Sequence, residues 1–166
     1  MNQANDVRRA LAVLFARVVL GLIFFQAGVW KVFVLTPAGH ARRWFLPFSD
    51  TFLPVWSLWA MGVTIPFVEL AGGFLVLVGL WTTTGLAMLG AVLCVVTFGH
   101  LLHEPLYALH EHVIPRLALT VLLLALPRHW DRWSLDAWRT GARRAAGAQA
   151  RIAVEAQGGG GGPERR

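Results

Sequence analysis

Four stretches of the chain, Ala12–Val34, Trp56–Leu80, Thr82–Leu101 and Leu106–Leu126, are apolar with few interruptions. At a rise of ~1.5 Å per residue, about 20 helical residues cross the ~30 Å of bilayer hydrocarbon, so each is predicted to be a transmembrane helix. Polar positions within them keep a helical period. Arg17, Gly21, Phe24, Gly28 and Lys31 alternate spacings of four and three and therefore share one face of the first helix. Gly62, Glu69, Gly72, Gly73 and Val76 do the same on the second. Small residues beside charges mark faces where backbones approach closely, so both faces should point into a bundle. The predicted fold is all-α: an integral membrane four-helix bundle.

The connectors differ in kind. Leu35–Val55 mixes Pro37, Pro47 and Pro54 with Trp44, Phe45, Phe48 and Phe52, a combination that breaks long helices and favours the membrane interface. The second and third spans meet in a tight Leu80-Trp81-Thr82 hairpin, with Thr82, Thr83 and Thr84 available as caps. His103-Glu104-Pro105 joins the third span to the fourth. A signal peptide competes for the first run, because Arg8 and Arg9 precede it. Gln26 interrupts its apolar core, no A-x-A site follows, and Lys31 continues the helical pattern, so the run is read as a span. The resulting organisation is a short cytoplasmic segment over 1–11, a four-helix membrane domain over 12–130, an interfacial basic helix over 131–154 and a disordered glycine-rich tail over 155–166.

Composition narrows the function classes. Only 14% of the 166 residues are charged and 56% are hydrophobic, whereas a soluble domain carries roughly 25% charged residues. The net charge of +6 would point to nucleic acid only on the face of a soluble fold. Here the arginines flank apolar runs, so the expected partner is the lipid bilayer and no nucleic acid. Cys94 is the single cysteine, which excludes an internal disulfide or a CxxC redox pair. Orientation follows from the basic residues. Ten arginines (8, 9, 128, 132, 139, 143, 144, 151, 165 and 166) fall on the side of the termini. The opposite side holds Arg42 and Arg43, with Lys31 nearby. The asymmetry predicts both termini in the cytoplasm.

Ionisable groups in hydrocarbon cost at least ~2.5–3.5 kcal/mol each, so each needs a partner or a purpose. Arg17, Lys31, Glu69 and Arg116 are such groups. By position along the spans, Glu69 and Arg116 both fall at mid-depth, Arg17 ~9 Å toward the cytoplasm and Lys31 ~12 Å outward. The preferred pair is therefore Glu69–Arg116, with Arg17 reaching toward Glu69. Two readings stay open: ion pairs that only lock the helices, or a polar site for a quinone or another small ligand, with Lys31, His100 and His112 along its outer approach. His100, His103, Glu104, His110, Glu111 and His112 cluster near the outer turn, but their spacing matches no standard metal motif, and no metal site is predicted. His112 shares a face with Arg116, and Pro115 should kink the fourth helix just before that arginine.

Arg17-Val-Val-Leu-Gly21 followed by Phe25, Gly28 and Lys31 resembles the first-helix motif of the DoxX family. Pro66-Phe-Val-Glu69-Leu-Ala-Gly72-Gly73 leading to Gly79-Leu80-Trp81-Thr82 resembles its second-helix motif, and Ser134-Leu135-Asp136 its closing segment. The usual Gly-Pro-Gly lead-in to that segment is missing around Pro127-Arg128-His129-Trp130, and the histidines match nothing in the family pattern. The resemblance implies a four-helix fold in the bacterial inner membrane, with Arg17, Lys31 and Glu69 at the family's polar positions. It also implies an association with redox complexes, among them a membrane subunit of thiosulfate:quinone oxidoreductase. The expectation is a multi-pass subunit that supports quinone-linked electron transfer with a redox partner protein. No cofactor is visibly encoded, quinone is the candidate ligand, and an oligomer is compatible with the sequence. The alternative is a non-enzymatic scaffold or small-solute carrier.

Overall fold

A computed structural model describes residues 3–103 and 113–158. They form helices, with no strand among the described residues. Helix α1 (Gln3–Val29) runs on through a π-helical turn, Trp30–Val34. Then come α2 (Pro37–Trp44), a 3₁₀ segment at Leu46–Asp50, α3 (Val55–Val78), α4 (Thr82–His103), α5 (Ile114–Ala125), a 3₁₀ turn at Arg128–Trp130, and α6 (Leu135–Gly158). Gln3–Val34, Val55–Val78 and Thr82–Leu102 are each long and apolar enough to cross a membrane. The protein is a multi-pass membrane protein whose spans pack as a helical bundle.

The first predicted span is longer than expected at its N-terminal end. Polar residues before Ala12 conceal a helix that buries Ala10 and Val13. The fourth predicted span, Leu106–Leu126, is described only over Ile114–Ala125, and 104–112 lie outside the described residues. Pro115 occupies the first turn of α5, where its missing N–H costs nothing, and not a mid-helix kink. At the other end, α6 continues to Gly158, so 155–158 are helical and not part of a disordered tail. Gly159–Arg166 lie outside the described residues.

Glycines set the register between α1 and α3, the most extensive helix contact in the bundle. A Cβ added at Gly21 would stand 2.7 Å from the Leu77 backbone, and one at Gly28 would stand 2.5 Å from that of Leu70. Gly73 meets the backbone of Phe25 in the same way. The pairs 21 with 77, 25 with 73 and 28 with 70 all total 98, which is a straight antiparallel alignment. Without a hydrophobic drive between helices in lipid, such close backbone approach supplies the packing energy. Leu20, Phe24, Val76 and Leu89 fill the space inside. Phe15, Val19 and Leu22 form an exposed apolar stripe suited to lipid.

The Pro/aromatic segment folds back onto the bundle. Thr36 Oγ1 accepts from the Gly39 N–H and starts α2 with Pro37 in its first turn. The short helix buries His40 and Ala41 against Gly62 of α3 and leaves Arg42 and Arg43 outside.

Candidate functional site

The antiparallel register decides which charges meet. It sets Lys31 opposite Phe67, two residues or ~3 Å from the level of Glu69. Lys31 Nζ donates to Glu69 Oε2 at 2.6 Å. The expected Glu69–Arg116 pair is not formed. Arg116 is near enough to act on Glu69 electrostatically, but its guanidinium stands 5.8 Å over the Phe24 ring. Taking the midpoints of the two spans as level misplaced Lys31, because the glycine contacts set it opposite Phe67 and a lysine side chain can reach back along the helix.

The same register carries Arg17 to the level of Trp81, at the opposite end of α3. Arg17 therefore does not reach toward Glu69. It is 2% exposed and donates to Val76 O at 3.0 Å, Leu77 O at 2.8 Å and Trp133 O at 2.8 Å. Its Nε faces Asp131 Oδ1 at 3.3 Å, an ion pair without hydrogen-bond alignment. Two of these acceptors are carbonyls of the last turn of α3, beyond the reach of the helix's own i+4 N–H groups, and the third belongs to the segment that leads into α6. Gly79 ends α3 in the left-handed region, and Leu80 N–H donates to Leu75 O.

The Ser-Leu-Asp segment completes this clasp. Ser134 Oγ caps α6 by accepting from Ala137 N–H. Asp136 accepts from the N–H groups of Trp81 and Thr82 at 3.0 Å each and from the Thr82 hydroxyl at 3.2 Å, so it caps α4 from another helix. Partial burial pushes the Asp136 carboxyl up, but these donors and nearby Arg128 outweigh it and hold the group below its ordinary value. The space beside Arg17 amounts to about 130 Å³.

A much larger cavity of about 550 Å³ opens at the other end. Lys31, Glu69, Arg116, His40 and His100 line it, so four of the six sequence-predicted site residues (Glu69, Arg116, Lys31 and His100) share one space. Arg17 lies elsewhere, and His112 falls outside the described residues. The rest of the wall is largely apolar and aromatic, with Phe24, Trp44, Phe45 and Phe98. Cys94 is exposed along this wall.

His40 is the wall residue that sequence reasoning missed. Its ring Nδ1 lies 2.6 Å from Gly62 O, and since a carbonyl only accepts, Nδ1 carries the proton. Burial pushes His40 below its ordinary value, against the Gly62 hydrogen bond and together with repulsion from Lys31. The available signal was Gly62, which leaves room for the Ala41 backbone and so draws α2 inward.

Among the described residues, no group of three His, Cys, Asp or Glu side chains is placed to hold a metal ion. Arg116 makes no ion pair among the described residues, while the Lys31–Glu69 pair sits in the same wall. The arrangement offers fixed donors at one end of an apolar chamber. It suits a ligand with an oxygen-bearing head and a hydrophobic body.

The DoxX family model matches residues 12–103, more than half of the chain, and the chain belongs to the DoxX family. No curated protein and no solved structure matches it. The matched region contains Lys31, Glu69, Arg17 and the Gly79–Thr82 turn, while Arg116 and the Asp131–Asp136 half of the clasp follow it.

Proposed function

We propose that this DoxX-family membrane protein binds a quinone in the Lys31–Glu69–Arg116 cavity and supports quinone-linked electron transfer with a redox partner protein. The observation that carries the reading is the cavity itself. Its volume falls within the ~300–1,000 Å³ typical of small-molecule sites, its walls are mostly apolar, and its few polar groups converge. A quinone carbonyl accepts hydrogen bonds, which Arg116 and Lys31 can donate. Reduction to the quinol takes two electrons and two protons. The partner would supply the electrons through its own flavin, haem or metal centre. Protons would reach the ring oxygens through the polar side chains of the wall. The same reading puts both termini, with their arginines, in the cytoplasm of a bacterial cell and the cavity toward the outer leaflet.

The test is quinone content per protein after purification in mild detergent, with circular dichroism as the control for folding. The parent should retain quinone, and Arg116→Ala and Lys31→Ala should lose most of it at unchanged helicity. Proteins that co-purify should reduce added quinone only with the parent chain present. Absence of quinone in the parent, with no redox activity in any co-purified complex, would replace this reading with the scaffold or carrier. Reporter fusions after residue 166 and near Gly39 should report cytoplasmic and external sides respectively.

A further inference from the structure

Helix α6 leaves the bundle as soon as it begins. Its first residues are pinned by the clasp: Asp136 N–H donates to Gly79 O at 2.9 Å, and Asp136 caps α4. From Trp138 to Arg151 every residue is exposed, and a Cβ built on Gly141 or Gly147 meets nothing within 4 Å. At ~100° per residue, Leu135, Trp138, Ala142 and Ala145 fall on one side, Arg143, Arg144 and Arg151 face away from it, and Arg139 stands at its edge. Trp138 is 72% exposed, with little of the described residues over it.

The surroundings of the helix start are basic as well. Arg9 of α1 lies 4.9 Å over the Trp130 ring, and Arg128 reaches Asp136 at 3.8 Å. Arg8 and Arg132 are exposed at the same end. The arginines of α6 thus extend a collar around the end of the membrane-spanning helices. An amphipathic helix with a basic face, tethered where spans leave the hydrocarbon, has one nearby surface of matching chemistry.

We propose that α6 and this collar bind the anionic phospholipid headgroups of the flanking leaflet. Leu135, Trp138, Ala142 and Ala145 enter the headgroup boundary, and the arginines contact phosphates alongside. The clasp gives the helix its starting point at that boundary. Lipid recognition here is independent of any ligand in the cavity.

The experiment uses the full chain with Cys94→Ser in lipid nanodiscs, carrying one nitroxide at Ala145→Cys or, on the opposite side, at Gly147→Cys. Discs of phosphatidylcholine alone are compared with discs containing phosphatidylglycerol. In anionic discs the label at 145 should collide with oxygen more than with a water-soluble nickel chelate, and the label at 147 should not. Neutral discs or molar salt should reduce that contrast, because headgroup attraction is screened within ~3 Å at 1 M. Replacing Arg139, Arg143, Arg144 and Arg151 by Gln should weaken the bound population about fivefold per arginine, with helicity unchanged. A water-exposed label at 145 in anionic discs overturns the proposal. So does equal protection in neutral discs, or protection that appears only on adding RNA or an acidic protein.

Discussion

Two buried charge clusters sit at opposite ends of the α1–α3 pair and differ in how they are completed. At the clasp, Arg17 has three carbonyls and a carboxylate, Asp136 has three donors, and little space remains. In the cavity, Lys31 and Glu69 satisfy each other, Arg116 lies over the Phe24 ring and makes no ion pair among the described residues, and about 550 Å³ stays open. A buried cation held by three carbonyls and a carboxylate is consistent with holding helices together. A cation with no carboxylate partner among the described residues, beside an open apolar chamber, is consistent with holding something else. Arg17 and the Lys31–Glu69 pair both lie within the matched region, and what separates the two clusters is their surroundings.

The comparison is broken most directly at Arg17. Arg17→Met strands Asp131 and the α3 carbonyls, and should cost about 3–5 kcal/mol of bundle stability. Unfolding in mixed detergents measures it, and the folded fraction should keep its quinone. A neutral substitution would remove the clasp from the list of structural supports.

Glu69→Gln leaves Lys31 without its counter-charge, but the lysine side chain is 20% exposed and can move its ammonium toward the interface. The loss should be smaller than at Arg17, about 1–3 kcal/mol. The exchange Lys31→Glu with Glu69→Lys should recover part of it, whereas exchanging Glu69 with Arg116 should not. Recovery by the Arg116 exchange alone would overturn the pairing seen here.

Arg116→Gln separates stability from binding. Removing a cation–π contact should cost about 0.5–1 kcal/mol, while quinone retention falls by an order of magnitude. Equal effects on both would make the cavity a second structural cluster.

The smallest effect is a pH dependence. His40 has a folded value below 6.5, so in acid the unfolded chain takes up its proton first. Its contribution is complete above pH 6.5 and is lost as pH falls toward the folded value, at no more than about 1.4 kcal/mol per pH unit. Asp136 is also depressed, but its contribution is lost only as pH falls from about 3.8 toward the folded value. Unfolding between pH 7 and 5 should therefore show a slope that His40→Asn flattens, with the clasp silent in that window. A slope unchanged by His40→Asn would assign the titration to another group.

The sequence by itself determined the membrane class, two of the spans nearly to the residue and the C-terminal end of the first, the inward faces of α1 and α3, and the polar residues that would need partners. Those properties depend on hydrophobic run length and helical period, which are local. Tertiary structure alone decided the pairing. Lys31 reaches Glu69, and Arg17 reaches Asp131, because glycine contacts fix the register of α1 against α3, and no count of depth along a single helix contains that offset. His40 enters the cavity wall because Gly62 lets α2 close in, and Asp136 caps α4 because the chain returns to the end where α3 stops. Both contacts join residues far apart in sequence, where periodicity carries no information.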